Sequence, residues 1–132
     1  MPRVVRIWLL WFCLVLFVSL PWLGFTPVPQ LDRVHWIPFA DPADKLRDVA
    51  LNGLLFMPLG FAVSRRRRLV PGIVLSAAMA LSISVPAEAT QLFSTRRFPS
   101  ATDVAAAALG AMAGAITTLW IRESSKPRTW TD

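Results

Sequence analysis

The sequence predicts an all-α, polytopic membrane protein with four transmembrane helices and both termini in the cytoplasm. Of its 132 residues, 55% are hydrophobic and the mean hydropathy is +0.51, which implies more apolar surface than a water-soluble fold of this length can bury. Four apolar stretches, separated by proline-rich or basic segments, are each long enough to cross a hydrocarbon core of about 30 Å. We interpret residues 1–132 as a single transmembrane domain.

The first predicted helix covers residues 7–25, an uncharged run that follows Arg3 and Arg6. The segment that begins at Ser19 lacks the pair of small residues that signal peptidase needs, so we expect this helix to be retained. Residues 26–41 contain three prolines, which favour an extended loop outside the bilayer.

The second and third predicted helices cover residues 42–64 and 70–93. Asp41 suits the N-cap of the second helix, and Pro42 suits its first turn. The block Arg65–Arg68 between the two helices is typical of a cytoplasmic loop. The serines of the third helix can donate hydrogen bonds to carbonyls of the preceding turn, so they require no functional role.

The fourth predicted helix covers residues 101–121, and Ser100-Ala-Thr-Asp103 matches a capping box at its start. Gly110 and Gly114 are spaced to let another helix approach closely, and Gly60 is a small residue of the same kind in the second helix. In a four-helix chain we expect these glycines to pack within the molecule rather than to form a dimer. The oligomeric state is left open.

Counting basic residues on each side of the predicted bundle gives its orientation. Nine lie on one side, whereas five lie on the other together with six of the eight acidic residues. Because cytoplasmic loops carry the excess of arginine and lysine, the side with nine should be cytoplasmic. The nine are Arg3, Arg6, Arg65–Arg68, Arg122, Lys126 and Arg128.

A cluster of polar residues is predicted at the opposite, extracytoplasmic side. Glu88 lies 19 residues after Leu69 and Asp103 lies 19 residues before Arg122, so that each is about 28 Å from the cytoplasmic boundary. The six members of the cluster are Asn52, Glu88, Gln91, Arg96, Arg97 and Asp103. Each alone could be a solvated residue or part of an ion pair between helices, but their grouping favours a binding or catalytic site.

Several functional classes are excluded by composition. The single histidine, His35, excludes multi-histidine metal sites and histidine-dependent phosphatase relays, and the single Cys13 excludes an intrachain disulfide. There is no glycine-rich phosphate loop, so we expect neither a metal nor a cofactor. The net charge of +6 comes from arginines beside apolar runs, which are topology signals rather than a nucleic-acid interface.

Two motifs resemble the VanZ-like family of small bacterial membrane proteins. The first is Asn52-x-x-x-Phe56-x-Pro58-x-Gly60, and the second is Glu88-x-x-Gln91 followed by Arg97, Asp103, Gly110 and Gly114. The resemblance covers about residues 37–115. The chain departs from the family pattern at Ser100 and Thr102, where acidic residues are common, and at Ala107, where an asparagine is usual.

The resemblance implies a small, multi-pass protein of the bacterial inner membrane, and thus of the cell envelope. For the founding member it implies low-level resistance to teicoplanin, a glycopeptide with a lipid tail. It implies no reaction.

Three hypotheses for the function remain: a non-catalytic protein that acts on lipid-linked or lipid-tailed molecules, an enzyme acting on a lipid headgroup, and a scaffold for another membrane protein. In the enzyme, Glu88 or Asp103 would be acid or base, and Arg96 or Arg97 would hold a phosphate or carboxylate. The scaffold would use the small face formed by Asp103, Ala107, Gly110 and Gly114.

The charge distribution gives a topological prediction. A reporter fused after Asp132 should be cytoplasmic, whereas reporters inserted near Pro29 or Ser94 should be extracytoplasmic, because basic loops stay in the cytoplasm. Paired fusions to alkaline phosphatase and to a fluorescent protein measure both locations. A C-terminal fusion active only outside the membrane would contradict the orientation.

Overall fold

The computed structural model describes residues 2–19, 24–40 and 46–125, and over this part of the chain it contains four α-helices and no β-strand. The helices are α1 (Arg3–Ser19), α2 (Leu46–Ser64), α3 (Leu69–Gln91) and α4 (Ala101–Ser124), with one short 3-10 helix at Leu31–Arg33. The predicted all-α class is therefore confirmed. By length and composition, α2, α3 and α4 can each cross a membrane.

The first helix lies earlier in the chain than the sequence predicts. Instead of covering residues 7–25, α1 ends at Ser19, and Phe25 forms an isolated bridge with Ser94. The backbone from Gly24 onwards bonds instead to the α3–α4 loop, as in Thr95 N–H donating to the Gly24 carbonyl at 2.7 Å. With 17 residues, α1 is at the lower limit of about 17–25 for a helix that spans a bilayer.

The other helix boundaries lie close to the predicted ones. The predicted start of the second helix at Asp41 and Pro42 falls outside the described residues. The third helix ends at Gln91 rather than 93, because Leu92 N–H and Phe93 N–H donate to carbonyls three residues back, at 3.2 Å each. Ser100 is the N-cap of α4, and its hydroxyl accepts from Thr102 N–H at 3.1 Å.

Helices α2 and α4 run parallel and make the most extensive helix contact of the structure. Glycine makes this contact possible, since an added Cβ at Gly60 would overlap the Ala111 carbonyl, and one at Gly114 would overlap the Met57 carbonyl. Gly110 lies in the same way against the backbone of Gly53. The Gly110-x-x-x-Gly114 face is thus occupied by α2 of the same chain.

A small apolar core lies where α2, α3 and α4 meet, and α1 packs on its side. The core residues buried most completely include Leu59 of α2, Ile83 of α3 and Ala107 of α4. Two indole N–H groups of α1 hold it in place: Trp8 donates to the Ser82 hydroxyl at 2.7 Å and Trp11 donates to the Leu55 carbonyl at 3.1 Å.

The segment 24–40 folds over the loop that joins α3 to α4. Its backbone bonds to that loop at both ends, with Gln30 N–H donating to the Leu92 carbonyl at 2.8 Å and Ala101 N–H donating to the His35 carbonyl at 2.9 Å. The Arg33 guanidinium lies 3.8 Å from the centre of the Phe98 ring, in a cation–π contact. These contacts cover the end of the bundle at which α4 begins.

Four of the basic residues assigned to the cytoplasm, Arg3, Arg66, Arg67 and Arg122, lie together at the opposite end of the bundle, whereas Lys126 and Arg128 fall outside the described residues. Arg3 of α1 lines one cavity with Arg66 and Arg67, which follow α2. The Arg122 guanidinium at the end of α4 donates to the Arg67 carbonyl at 2.9 Å. The bundle thus has a strongly basic end, opposite the end that carries Glu88 and Asp103. That the basic end faces the cytoplasm stays a prediction.

The α2–α4 contact predicts a difference between two glycine substitutions in one helix. Gly60→Ala should lower the apparent melting temperature in detergent, because overpacking costs about 1–3 kcal/mol. Gly53→Ala should not, because its Cβ would lie 3.7 Å from the nearest atom, the Ala106 carbonyl oxygen. Equal melting temperatures for the two variants would contradict the close contact at Gly60.

Candidate functional site

A cavity of about 310 Å³ lies between the four helices, at the end of the bundle where α3 meets α4. One part of its wall is apolar and is formed by Val15, Val18, Leu51, Leu55, Phe56 and Ala87. The rest is polar and is formed by Ser19, Asp48, Asn52, Ser84, Glu88, Gln91, Arg97 and Asp103. Every helix and the α3–α4 loop contribute, so the cavity is a product of the whole fold.

Five of the six residues predicted for the polar cluster line this cavity, namely Asn52, Glu88, Gln91, Arg97 and Asp103. Arg96 does not, and its side chain is exposed. The two arginines diverge at a tight turn in which their backbone N–H groups both donate to the Ser94 hydroxyl, at 3.2 and 3.1 Å. Neighbouring arginines in the sequence therefore lie in different environments.

Glu88 connects α3 with the start of α4. One carboxyl oxygen, Oε1, accepts from the Gln91 side-chain amide at 3.2 Å, as expected for residues on one face of a helix. The other, Oε2, accepts from Ser100 N–H at 2.8 Å. Arg97 and Asp103 line the same cavity as Glu88.

Three further polar residues of the cavity, Ser19, Asp48 and Ser84, were not in the predicted cluster. Asp48 lies one turn before Asn52 on α2, and this spacing could have identified it. Ser84 lies one turn before Glu88 on α3, and the sequence assigned it a hydrogen bond to the preceding turn.

The serines of α3 divide into two groups. Ser76 and Ser82 donate to carbonyls of their own helix at 2.7 and 2.8 Å, as the sequence predicts. Ser84 differs: its side chain is only 5% exposed, and its hydroxyl has no hydrogen-bond partner among the described residues. A buried hydroxyl without a partner costs about 1–3 kcal/mol, so Ser84 is a position at which a bound molecule could supply a partner.

The chemistry available in the cavity is that of carboxyl, amide, hydroxyl and guanidinium groups. Across the described residues, no three histidine, cysteine, aspartate or glutamate side chains are placed to hold a metal ion. Ala107, one of the positions at which the sequence departs from the motif pattern, is fully buried in the apolar core and does not line the cavity. The arrangement suits the binding of a polar group next to an apolar one.

The Glu88–Ser100 hydrogen bond predicts that two substitutions of Glu88 differ in stability. Glu88→Ala should lower the apparent melting temperature in detergent, because it removes the acceptor of Ser100 N–H at a cost of about 1–3 kcal/mol. Glu88→Gln retains a carbonyl oxygen at that position and should remain close to wild type. If both variants melt alike, the bond does not stabilise the start of α4.

Comparison with known proteins identifies the family. The family model described as VanZ/LLP1 matches residues 4–122, nearly the whole chain. No curated protein and no solved structure gave a match. The matched range contains every residue that lines the cavity and nearly all of α1, which carries none of the motifs noted in the sequence. Together with three helices able to cross a membrane, the match shows that the chain is a membrane protein that belongs to the VanZ/LLP1 family.

Proposed function

We propose that this protein binds the polar part of a membrane amphiphile in the cavity, at the extracytoplasmic face of the bacterial inner membrane. By doing so it reduces susceptibility to lipid-tailed glycopeptides such as teicoplanin. The observation that carries the proposal is the Ser84 hydroxyl, which is buried in the cavity wall without a partner among the described residues. A polar headgroup bound there would supply the missing hydrogen bond.

The size and lining of the cavity support a small polar ligand. At about 310 Å³ it falls within the range of about 300–1,000 Å³ in which ligand sites occur. Its apolar residues, such as Leu55 and Phe56, exclude water, while Asn52 and Arg97 present an amide and a guanidinium group. Such a mixture of apolar wall and few polar groups orients a bound molecule.

A second, apolar groove beside the cavity supports an amphiphile rather than a soluble ligand. It has a volume of about 560 Å³ and lies between α3, α4 and the covering segment, lined by Trp36, Leu81, Val85 and Val104 among others. Glu88 lines both the groove and the cavity. The groove thus offers an apolar surface to a lipid tail next to the polar cavity.

The charge distribution along the chain supports the extracytoplasmic placement. The basic end formed by Arg3, Arg66 and Arg67 favours the cytoplasm, which leaves the cavity near the outer surface. A molecule anchored by a lipid tail is concentrated at that depth, since each buried methylene contributes about 0.8 kcal/mol to membrane binding. A protein with little mass outside the bilayer can reach such a molecule there.

A second candidate is an enzyme that acts on a lipid headgroup. The observation favouring it is that two carboxyl groups, those of Glu88 and Asp103, line one cavity, where they could serve as a general acid and a general base. Headgroup release by purified protein in lipid vesicles would identify this activity. The scaffold hypothesis is less favoured, because Gly110 and Gly114 already contact α2.

Drug susceptibility tests the proposed function. Expression in a sensitive Gram-positive host should raise the inhibitory concentration of teicoplanin more than that of a glycopeptide without a lipid tail. Arg97→Ala should remove this difference, since it deletes the guanidinium group in the cavity, whereas the matched Arg96→Ala should retain it.

Immunoblots of membranes must show equal amounts of the two variants for this comparison. Equal protection against both drugs, or equal behaviour of the two arginine variants, would overturn the proposal. The Glu88→Ala variant is unsuitable as the main test, because Glu88 also accepts the hydrogen bond from Ser100 N–H.

A further inference from the structure

A further cavity, of about 380 Å³, lies at the basic end of the bundle, where α1 begins and α2 ends. Three arginines line it: Arg3 at the start of α1, and Arg66 and Arg67 in the loop that joins α2 to α3. A topology signal requires basic residues in the loop, but it does not require them to meet a residue of another helix around one cavity. This meeting of arginines that are distant in the sequence is a product of the fold.

The charge of this cavity is positive. No carboxyl group is among its described lining residues. Of the eight acidic residues of the sequence, six belong to the opposite end, which leaves Glu123 and Asp132 for this one. Even if both of these carboxylates lay at the cavity, the three arginines would exceed them, and residues 126–132 also bring Lys126 and Arg128. The cavity therefore attracts an anion.

The remaining lining residues are apolar, namely Val4 and Ile7 of α1 and Ala62 and Val63 of α2. Ile7 follows Arg3 by one helical turn, which places it about 6 Å further along α1. The cavity thus changes from charged at the end of the bundle to apolar further in. A phospholipid has the same order, since its phosphate lies outside its glycerol and acyl chains.

The loop that carries Arg66 and Arg67 is held in place by hydrogen bonds. Arg67 N–H donates to the Ser64 carbonyl at 2.9 Å, and the Arg67 carbonyl accepts from the Arg122 guanidinium at 2.9 Å. The buried hydroxyls of Ser64 and Ser76 share a further hydrogen bond of 3.2 Å, which joins the end of α2 to α3. Because the loop is already fixed, binding of a ligand costs less conformational entropy.

We propose that this cavity binds the phosphate of an anionic phospholipid from the leaflet that surrounds the basic end of the bundle. Basic cavities between transmembrane helices bind anionic lipid headgroups in other membrane proteins. A guanidinium group can donate two parallel hydrogen bonds to a phosphate, so the three arginines hold it from α1 and from the loop, while Val4 and Ile7 contact the glycerol and the first methylenes. This site shares no residue with the cavity beside Glu88 and is independent of the function proposed there.

Lipid retention measured by native mass spectrometry tests the proposal. The purified full-length protein is equilibrated in mixed micelles with equal amounts of phosphatidylglycerol and phosphatidylethanolamine of matched chains. Phosphatidylglycerol should be retained in about fivefold excess or more, the factor that one basic residue contributes near an anionic headgroup. Soluble glycerol phosphate at the same concentration should fail to displace it. Equal retention, retention of neither lipid, or a preference for phosphatidylethanolamine would overturn the proposal, and displacement by glycerol phosphate would overturn the lipid source.

Two double variants of equal net charge locate the bound lipid. Arg3→Gln with Arg66→Gln removes one lining arginine from α1 and one from the loop, so the excess of phosphatidylglycerol should be lost. Arg6→Gln with Arg65→Gln removes one arginine from each of the same segments, but neither lines the cavity, so the excess should be kept. All four side chains are exposed, so neither pair of substitutions should change the lipid-free melting temperature. An excess that is lost in both variants, kept in both, or lost only in the control would show that the lipid binds elsewhere.

Discussion

The close contact of α2 with α4 is the constraint on which the rest of the structure depends. Gly60, Gly110 and Gly114 let the two backbones touch, and because the helices are parallel, their N-terminal turns come to the same end of the bundle. That end therefore receives Asp48 from one helix and Asp103 from the other. Larger side chains at the glycines would separate the helices and widen the cavity that lies beside them.

Glu88 shows how one residue serves both the fold and the site. Its carboxyl group accepts from Ser100 N–H and so fixes where α4 begins, yet it also lines both the polar cavity and the apolar groove. Loss of activity on replacing Glu88 would not by itself separate the two roles. Arg97 and Asp48 are better probes of binding, because no hydrogen bond of their side chains holds the described fold together.

Much of the candidate site was visible in the sequence, because helical rise converts a position in the chain into a depth in the membrane. Counting from the basic loops placed Glu88 and Asp103 at one level, and the i, i+3 spacing placed Gln91 on the face of Glu88. The same arithmetic could have added Asp48, which is one turn from Asn52. It could not separate Arg96 from Arg97, since the direction of each side chain depends on a turn held by the Ser94 hydroxyl.

The sequence by itself determined the all-α class, the order of the four helices and the family, because these depend on hydropathy and short motifs along the chain. The tertiary structure decided which groups meet. It placed α1 against the cavity, bonded the backbone of Gly24 and Thr26 to the α3–α4 loop, and buried Ser84 without a described partner. These outcomes depend on contacts between residues far apart in the chain, which periodicity within one helix cannot specify.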